Sequence, residues 1–159
     1  MAGYSIGKEF EERFKQDWKE SFPNTFLMRL HDQVSGYKTI SQNPCDFIAY
    51  KYPFIFLIEC KTCKDNTFSF SKFTQYERLR SFSGIFGLIA GVVIYFYNVQ
   101  RVVFVPIGVA EKIKNSGAKS IRYDSDGVIE LGSVPLRTFM KTNYERVYEY
   151  GKHIFEQCG

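Results

Sequence analysis

An α/β fold on a mixed central sheet is predicted by three features of the sequence. Its patterned segments run helix, strands, helix, strands, helix. The stretch "FIFLIECK" is apolar on both alternating faces, as an interior strand is. "GVVIYFY" and "RVVFVPI" are strand-like runs on either side of "NVQ", the pattern of a hairpin. With 159 residues, 45% hydrophobic and 24% charged, the chain can bury a real core, which argues against disorder and for one domain over 1–159. No repeat, low-complexity tract or proline-rich linker divides it.

The elements follow in order. Ser5 can cap a first helix whose stripe of Ile6, Phe10, Phe14 and Trp18 recurs every fourth residue, and Pro23 ends it. "TFLMRLHDQVSGYKTISQ" has β-prone arms around "SGYK" and reads as a hairpin or excursion over 28–41. Arms of about six residues would project about 20 Å. "NPCDFIAYKYPFIFLIECK" then folds back at "KYP". "SKFTQYERLRSF" reads as a helix, "VAEKIKN" as a short one, and "TNYERVYEYGKHIFEQ" as an amphipathic closing helix.

Composition bounds the functional classes. A net charge of +4 permits a polyanionic partner without demanding one. The longest apolar run, "GIFGLIAGVVIYFYN", is short for a membrane span and interrupted by glycine, so a buried strand is expected and no membrane partner. Nothing at the amino terminus has the pattern of a secretory signal, so the expected location is cytoplasmic. Cys45, Cys60, Cys63 and Cys158 are then reduced, and "CKTC", without a second pair, reads as small apolar residues rather than a zinc or redox motif.

One stretch carries chemistry. With a turn near 51–54, antiparallel pairing sets Asp46 opposite Glu59, and alternation points Glu59 and Lys61 the same way with Cys60 reversed. Opposed carboxylates repel, and a divalent cation reverses the sign of that interaction. Hard oxygen ligands suit Mg²⁺ or Mn²⁺. An ammonium at Lys61 can orient an attacking water or neutralise charge growing on phosphorus. A surface charge cluster at a strand end is the plainer alternative.

"PCD" followed by "ECK" resembles the PD-(D/E)xK nuclease superfamily, with Cys45 inserted between the proline and the aspartate. "IGKEFEERF", "QYERL", "VVIYFYNVQRVVFV" and "GAKSIRYD" fall in the order seen in RecU-type Holliday junction resolvases. That resemblance implies a restriction-endonuclease-like sheet flanked by helices, with a protruding β-hairpin as a short stalk. It also implies a homodimer that nicks four-way DNA junctions symmetrically with Mg²⁺ or Mn²⁺ and no nucleotide cofactor. Carried over, Asp46 and Glu59 hold metal with the Cys60 carbonyl, Lys61 assists the nucleophile, Gln75 matches a downstream glutamine, and Glu11 is a carboxylate from the first helix. The helical wheel agrees on Glu11. At about 100° per residue, it lies about 80° from the centre of the apolar stripe, against about 120° for Glu9 and about 180° for Glu12. The last two read as a solvated face.

Polyanion contacts are expected from Arg29, His31 and Lys38 on the excursion, Lys64 and Lys72 beside the catalytic strand, Arg78 and Arg80 on the next helix, and Lys119 and Arg122 in "AKSIR". His153 reads as structural. Two alternatives remain beside the junction resolvase: another nuclease of the superfamily acting on linear or branched DNA, and a noncatalytic DNA-binding or dimerisation module.

Overall fold

The structure, a computed structural model, describes residues 5–31, 33–35, 38–41, 43–133 and 142–158, with the backbone alone at 33–35, 38–41, 133 and 158. In chain order the elements are α1 (Ile6–Ser21), β1 (Phe26–Arg29), β2 (Gln33–Ser35), β3 (Lys38–Ser41), β4 (Phe47–Lys51), β5 (Phe54–Cys63), β6 (Thr67–Ser69), a 3-10 turn (Phe70–Lys72), α2 (Tyr76–Arg80), β7 (Leu88–Phe96), β8 (Arg101–Pro106), α3 (Ile107–Asn115), β9 (Ser120–Arg122), β10 (Ile129–Ser133) and α4 (Glu145–Cys158). Six strands form one mixed sheet in the order β1-β4-β5-β7-β8-β10, in which only β5 and β7 are parallel. The expected mixed central sheet flanked by helices is therefore the observed architecture.

The helix α1 starts where Ser5 accepts from the Lys8 amide at 3.4 Å, and it ends before Pro23 with the Phe22 amide bonded to the Trp18 carbonyl. Phe10, Phe14 and Trp18 of its stripe are buried as the spacing predicts, and Ile6 is half-buried. Phe10 stacks on Tyr95, Phe14 packs at a tilt against Phe47, and Trp18 meets Phe56 edge to face. Fully burying one such ring contributes about 1.5–3 kcal/mol. The other face packs Leu57, Ala90, Val92, Ile94, Val103 and Val105 under Phe73, Tyr76, Leu79 and Ala110. Within β7, Gly91 is required by close approach: a Cβ there would stand 2.5 Å from the Phe104 ring and 2.6 Å from the Val105 carbonyl oxygen.

Several expectations need correction. The helix expected over "SKFTQYERLRSF" is a 3-10 turn followed by the five-residue α2, because the Ser69 hydroxyl caps Ser71 and the buried Phe73 breaks the helical path. Phe26–Arg29, read as part of the excursion, is an edge strand paired with Phe47–Tyr50 of β4. The described arms beyond it are β2 and β3, of three and four residues, paired antiparallel in a sheet of their own. At about 3.3 Å per residue they reach about 10–13 Å. The pair β6–β9 and the edge strand β10 had no counterpart in the sequence reading. Among the described residues, no helix is long and apolar enough to cross a membrane.

Candidate active site

The β4–β5 hairpin builds the site. Its register joins Phe47 to Ile58 and Lys51 to Phe54, with a cis Tyr52–Pro53 bond in the turn. One step beyond the ladder, the Asp46 amide donates to the Ile58 carbonyl at 3.2 Å, and the Cys60 amide donates to Asp46 Oδ2 at 2.9 Å. Asp46 is thereby set against Glu59, as the pairing argument required.

Glu59 is only 2% exposed because its strand is central, flanked by β4 and by β7 in register Glu59↔Val92. Its Oε1 lies 3.5 Å from Lys61 Nζ, while Oε2 is buried without a hydrogen-bond partner among the described residues. Burial, and next the charge of Asp46, push the Glu59 carboxyl up to about 9, against a smaller opposing pull from Lys61. Burial thus favours the protonated form of this carboxyl in the metal-free protein. Lys61 itself keeps 23% of its side chain exposed, so its ammonium stands at the rim.

A third carboxylate arrives from α1. Glu11 Oε2 is 3.1 Å from Arg29 Nη2, and Arg29 Nη1 is 3.3 Å from Asp46 Oδ1. Burial, then Asp46, raises the Glu11 carboxyl above its ordinary range, while Arg29 opposes the shift. The wheel's choice of Glu11 over its neighbours matches this placement. Glu12 is exposed, whereas Glu9, expected on a solvated face, is half-buried and its Oε2 is buried without a partner among the described residues.

No protein-family model matches the chain, and no curated protein matches it. A solved structure similar to it is that of Hjc, a Holliday junction resolvase from the archaeal hyperthermophile Archaeoglobus fulgidus. The two chains are 22% identical over 64% of this chain and 76% of that one, with a TM-score of 0.42.

The remaining sequence-predicted residues divide by position. Gln75 lies at the start of α2, where its Oε1 accepts from the Thr74 hydroxyl at 3.0 Å; none of its described contacts reaches the acidic group. Cys60 is buried, its thiol pushed well up by burial and the nearby carboxylates, and Cys45 likewise to about 12. Cys45, Cys60 and Cys63 are free thiols, as expected of small apolar residues. Lys64 and Lys72 line a groove of ≈ 310 Å³ with Thr62, Ser69 and Tyr97, directly beyond Lys61 along β5. The β6–β9 pairing brings Lys119 to this region, its carbonyl accepting from the Phe70 amide at 3.0 Å. Arg122 bonds Asp124 at 2.6 Å, and Arg80 bonds Glu77 at 3.2 Å. Arg78 and His31 are exposed, and the Lys38 side chain lies outside the described residues.

Two residues escaped the sequence reading. Arg29 was expected to face DNA, yet it bridges two of the acidic groups, Glu11 and Asp46. Recognising "FLMR" as a strand in register with "FIAY" would have placed it beside Phe47 and hence beside Asp46. Asp17, read only as part of a helix, is 3% exposed and accepts from the Thr142 amide at 3.0 Å and Arg13 Nε at 3.3 Å, tying α1 to the segment before α4. Its signal was one acidic residue beside Trp18 at the edge of the apolar stripe.

Proposed function

We propose that this chain is a metal-dependent endonuclease of the PD-(D/E)xK type, acting on branched DNA and specifically on four-way junctions, as a RecU-type homodimer with a short stalk hairpin. The observation that carries the reading is the pairing of Asp46 with a buried Glu59 whose second oxygen has no partner among the described residues, beside Lys61. A buried carboxyl oxygen left without a partner beside the Asp46 carboxylate is costly for a protein that holds nothing there. The donor set fits a hard cation: Asp46, Glu59, the Cys60 carbonyl and Glu11 offer oxygen, the preference of Mg²⁺ and Mn²⁺. Among the described residues no three His, Cys, Asp or Glu side chains are already gathered around one point.

When bound, the cation supplies Lewis-acid stabilisation of charge on a phosphodiester. The protein's own groups do the rest. The Cys60 amide fixes the rotamer of Asp46, so one acceptor is oriented before any ligand arrives. The sheet buries Glu59 and keeps water from its inner oxygen. Lys61, at the rim, holds positive charge where negative charge grows on phosphorus. Lys64 and Lys72 extend that field along the groove that a phosphate backbone can follow.

The test is cleavage of a mobile four-way junction beside a plain duplex of the same sequence, with and without Mg²⁺. Metal-dependent paired nicks in the junction, abolished in Asp46→Asn with binding retained, support the reading. Cleavage by Asp46→Asn at the wild-type rate sinks the site; equal cleavage of both substrates leaves a nuclease but removes junction specificity.

A further inference from the structure

One guanidinium lies where the proposed metal site would close. Arg29 bridges Glu11 Oε2 at 3.1 Å and Asp46 Oδ1 at 3.3 Å. Its Nη1 also donates to the main-chain carbonyl of Asp46 at 3.3 Å and to that of Leu30. The same group sits 5.5 Å from the centre of the Phe47 ring, its cross-strand partner. Two of the carboxylates that a divalent cation would draw together are thus already joined through another cation.

Resting on the endonuclease reading, we propose that Arg29 is an internal counter-cation: it neutralises and positions Glu11 and Asp46 in the metal-free protein and must leave them for the metal to bind. A guanidinium and a divalent ion both satisfy carboxylate oxygens, and the same lone pairs cannot serve both fully. Arg29 is suited to leaving, because its side chain is 30% exposed and its strand is at the edge of the sheet. It is suited to holding as well, because a planar fork can join two carboxylates at once, which a lysine ammonium does less well. Glu59, on the inner side, is contacted among the described residues by the Lys61 ion pair and not by Arg29, so the exchange concerns the outer two carboxylates. The sign of the effect separates this role from a merely structural one. A structural arginine, once removed, loosens the site and weakens the metal; a competing one, once removed, strengthens it.

The experiment is calorimetric titration of the full chain with Mn²⁺ alone, and with Mg²⁺ alone, at about 0.1 M salt. Wild type is compared with Arg29→Met, Arg29→Lys, Asp46→Asn and Arg101→Met. Arg101, on β8, pairs with Glu130 of β10; β8 lies three strand spacings or about 14 Å across the sheet from β4, beyond a Debye length of about 10 Å, so it controls for the lost charge itself. Arg29→Met should bind Mn²⁺ about tenfold tighter than wild type, Arg29→Lys more tightly by a smaller factor, and Arg101→Met within about twofold. Thermal melts should show Arg29→Met destabilised without metal and equal to wild type with saturating Mn²⁺. If wild type binds Mn²⁺ through Asp46 but neither Arg29 variant binds more tightly, or Arg101→Met gains as much, the counter-cation role is refuted and the endonuclease reading stands. If wild type shows no Mn²⁺ binding that Asp46→Asn abolishes, both fall together. Should Arg29→Met fail to fold, Arg29→Lys carries the comparison.

Discussion

Glu59→Gln removes an ionisable group from a place where burial disfavours its charge, and it should stabilise the metal-free protein in a pH-dependent way. The Glu59 carboxyl is 2% exposed and is raised from 4.5 to about 9, chiefly by burial. The folded chain therefore holds a proton that the unfolded chain releases. Stability from that proton is full below about pH 4.5 and is lost progressively as pH rises towards 9. At about 1.4 kcal/mol per unit, the wild type at pH 7 carries a penalty of about 3 kcal/mol that the glutamine lacks. For a chain of this size that is about 6–12 °C in Tm. Melts of both proteins in EDTA, from about pH 4 to about pH 9, should show a Tm difference that opens above about pH 4.5. A difference that stays constant across the window would falsify the assignment, because Glu59 would then ionise as it does in water. Mg²⁺ should narrow the gap by favouring the charged form of the wild type.

Five further outcomes are expected. Lys61→Ala should leave Mn²⁺ affinity within a few-fold while slowing single-turnover cleavage by about 10²-fold or more; an unchanged rate with lost DNA binding would assign the lysine to binding instead. Gly91→Ala should destabilise by about 1–3 kcal/mol, since the added methyl enters the Phe104 ring and the Val105 carbonyl; a denaturant midpoint equal to wild type contradicts that packing. Asp17→Ala leaves the Thr142 amide without its acceptor and should cost about 1–3 kcal/mol, with cleavage preserved at low temperature. Junction affinity should fall steeply between about 50 and 200 mM salt, and replacing residues 33–38 by a two-residue turn should lower the preference for junctions over duplex. A flat salt profile, or an undiminished preference, removes the phosphate track or the stalk respectively.

What the sequence made legible was local. The stripe of α1, the β7–β8 hairpin and the β4–β5 register each follow from residues close together in the chain, and the register alone set Asp46 against Glu59. What it hid was distant pairing. Phe26–Arg29 alternates weakly and shows itself as a strand only through β4, so Arg29 was assigned to DNA rather than to the carboxylates. β6 and β9 are three residues each, too short for a periodic signal, yet their pairing brings Lys119 beside the 3-10 turn. The long helix expected around Gln75 failed because side-chain capping at Ser69 and burial of Phe73 outweigh a helical spacing of apolar residues. Asp17 illustrates a separate limit: its partner, Thr142, is far along the chain, and nothing local announces it.

The one parallel pairing in the sheet has a consequence for how the protein assembles. β4 and β5 meet through a tight turn, whereas β5 and β7 meet through a crossover spanning residues 64–87. A hairpin closes in about 1–10 μs, but a longer loop must pay its closure entropy before any contact repays it. Early in folding, Asp46 and Glu59 can therefore face each other as solvated carboxylates on a bare hairpin. The burial that raises Glu59 comes only when β7 docks in register with it. Near pH 7 that docking step should draw a proton from the solvent, and its rate should fall as the solution becomes more alkaline. A pH-indicator dye in weakly buffered refolding would record the uptake in the slow phase of folding, after the hairpin has formed.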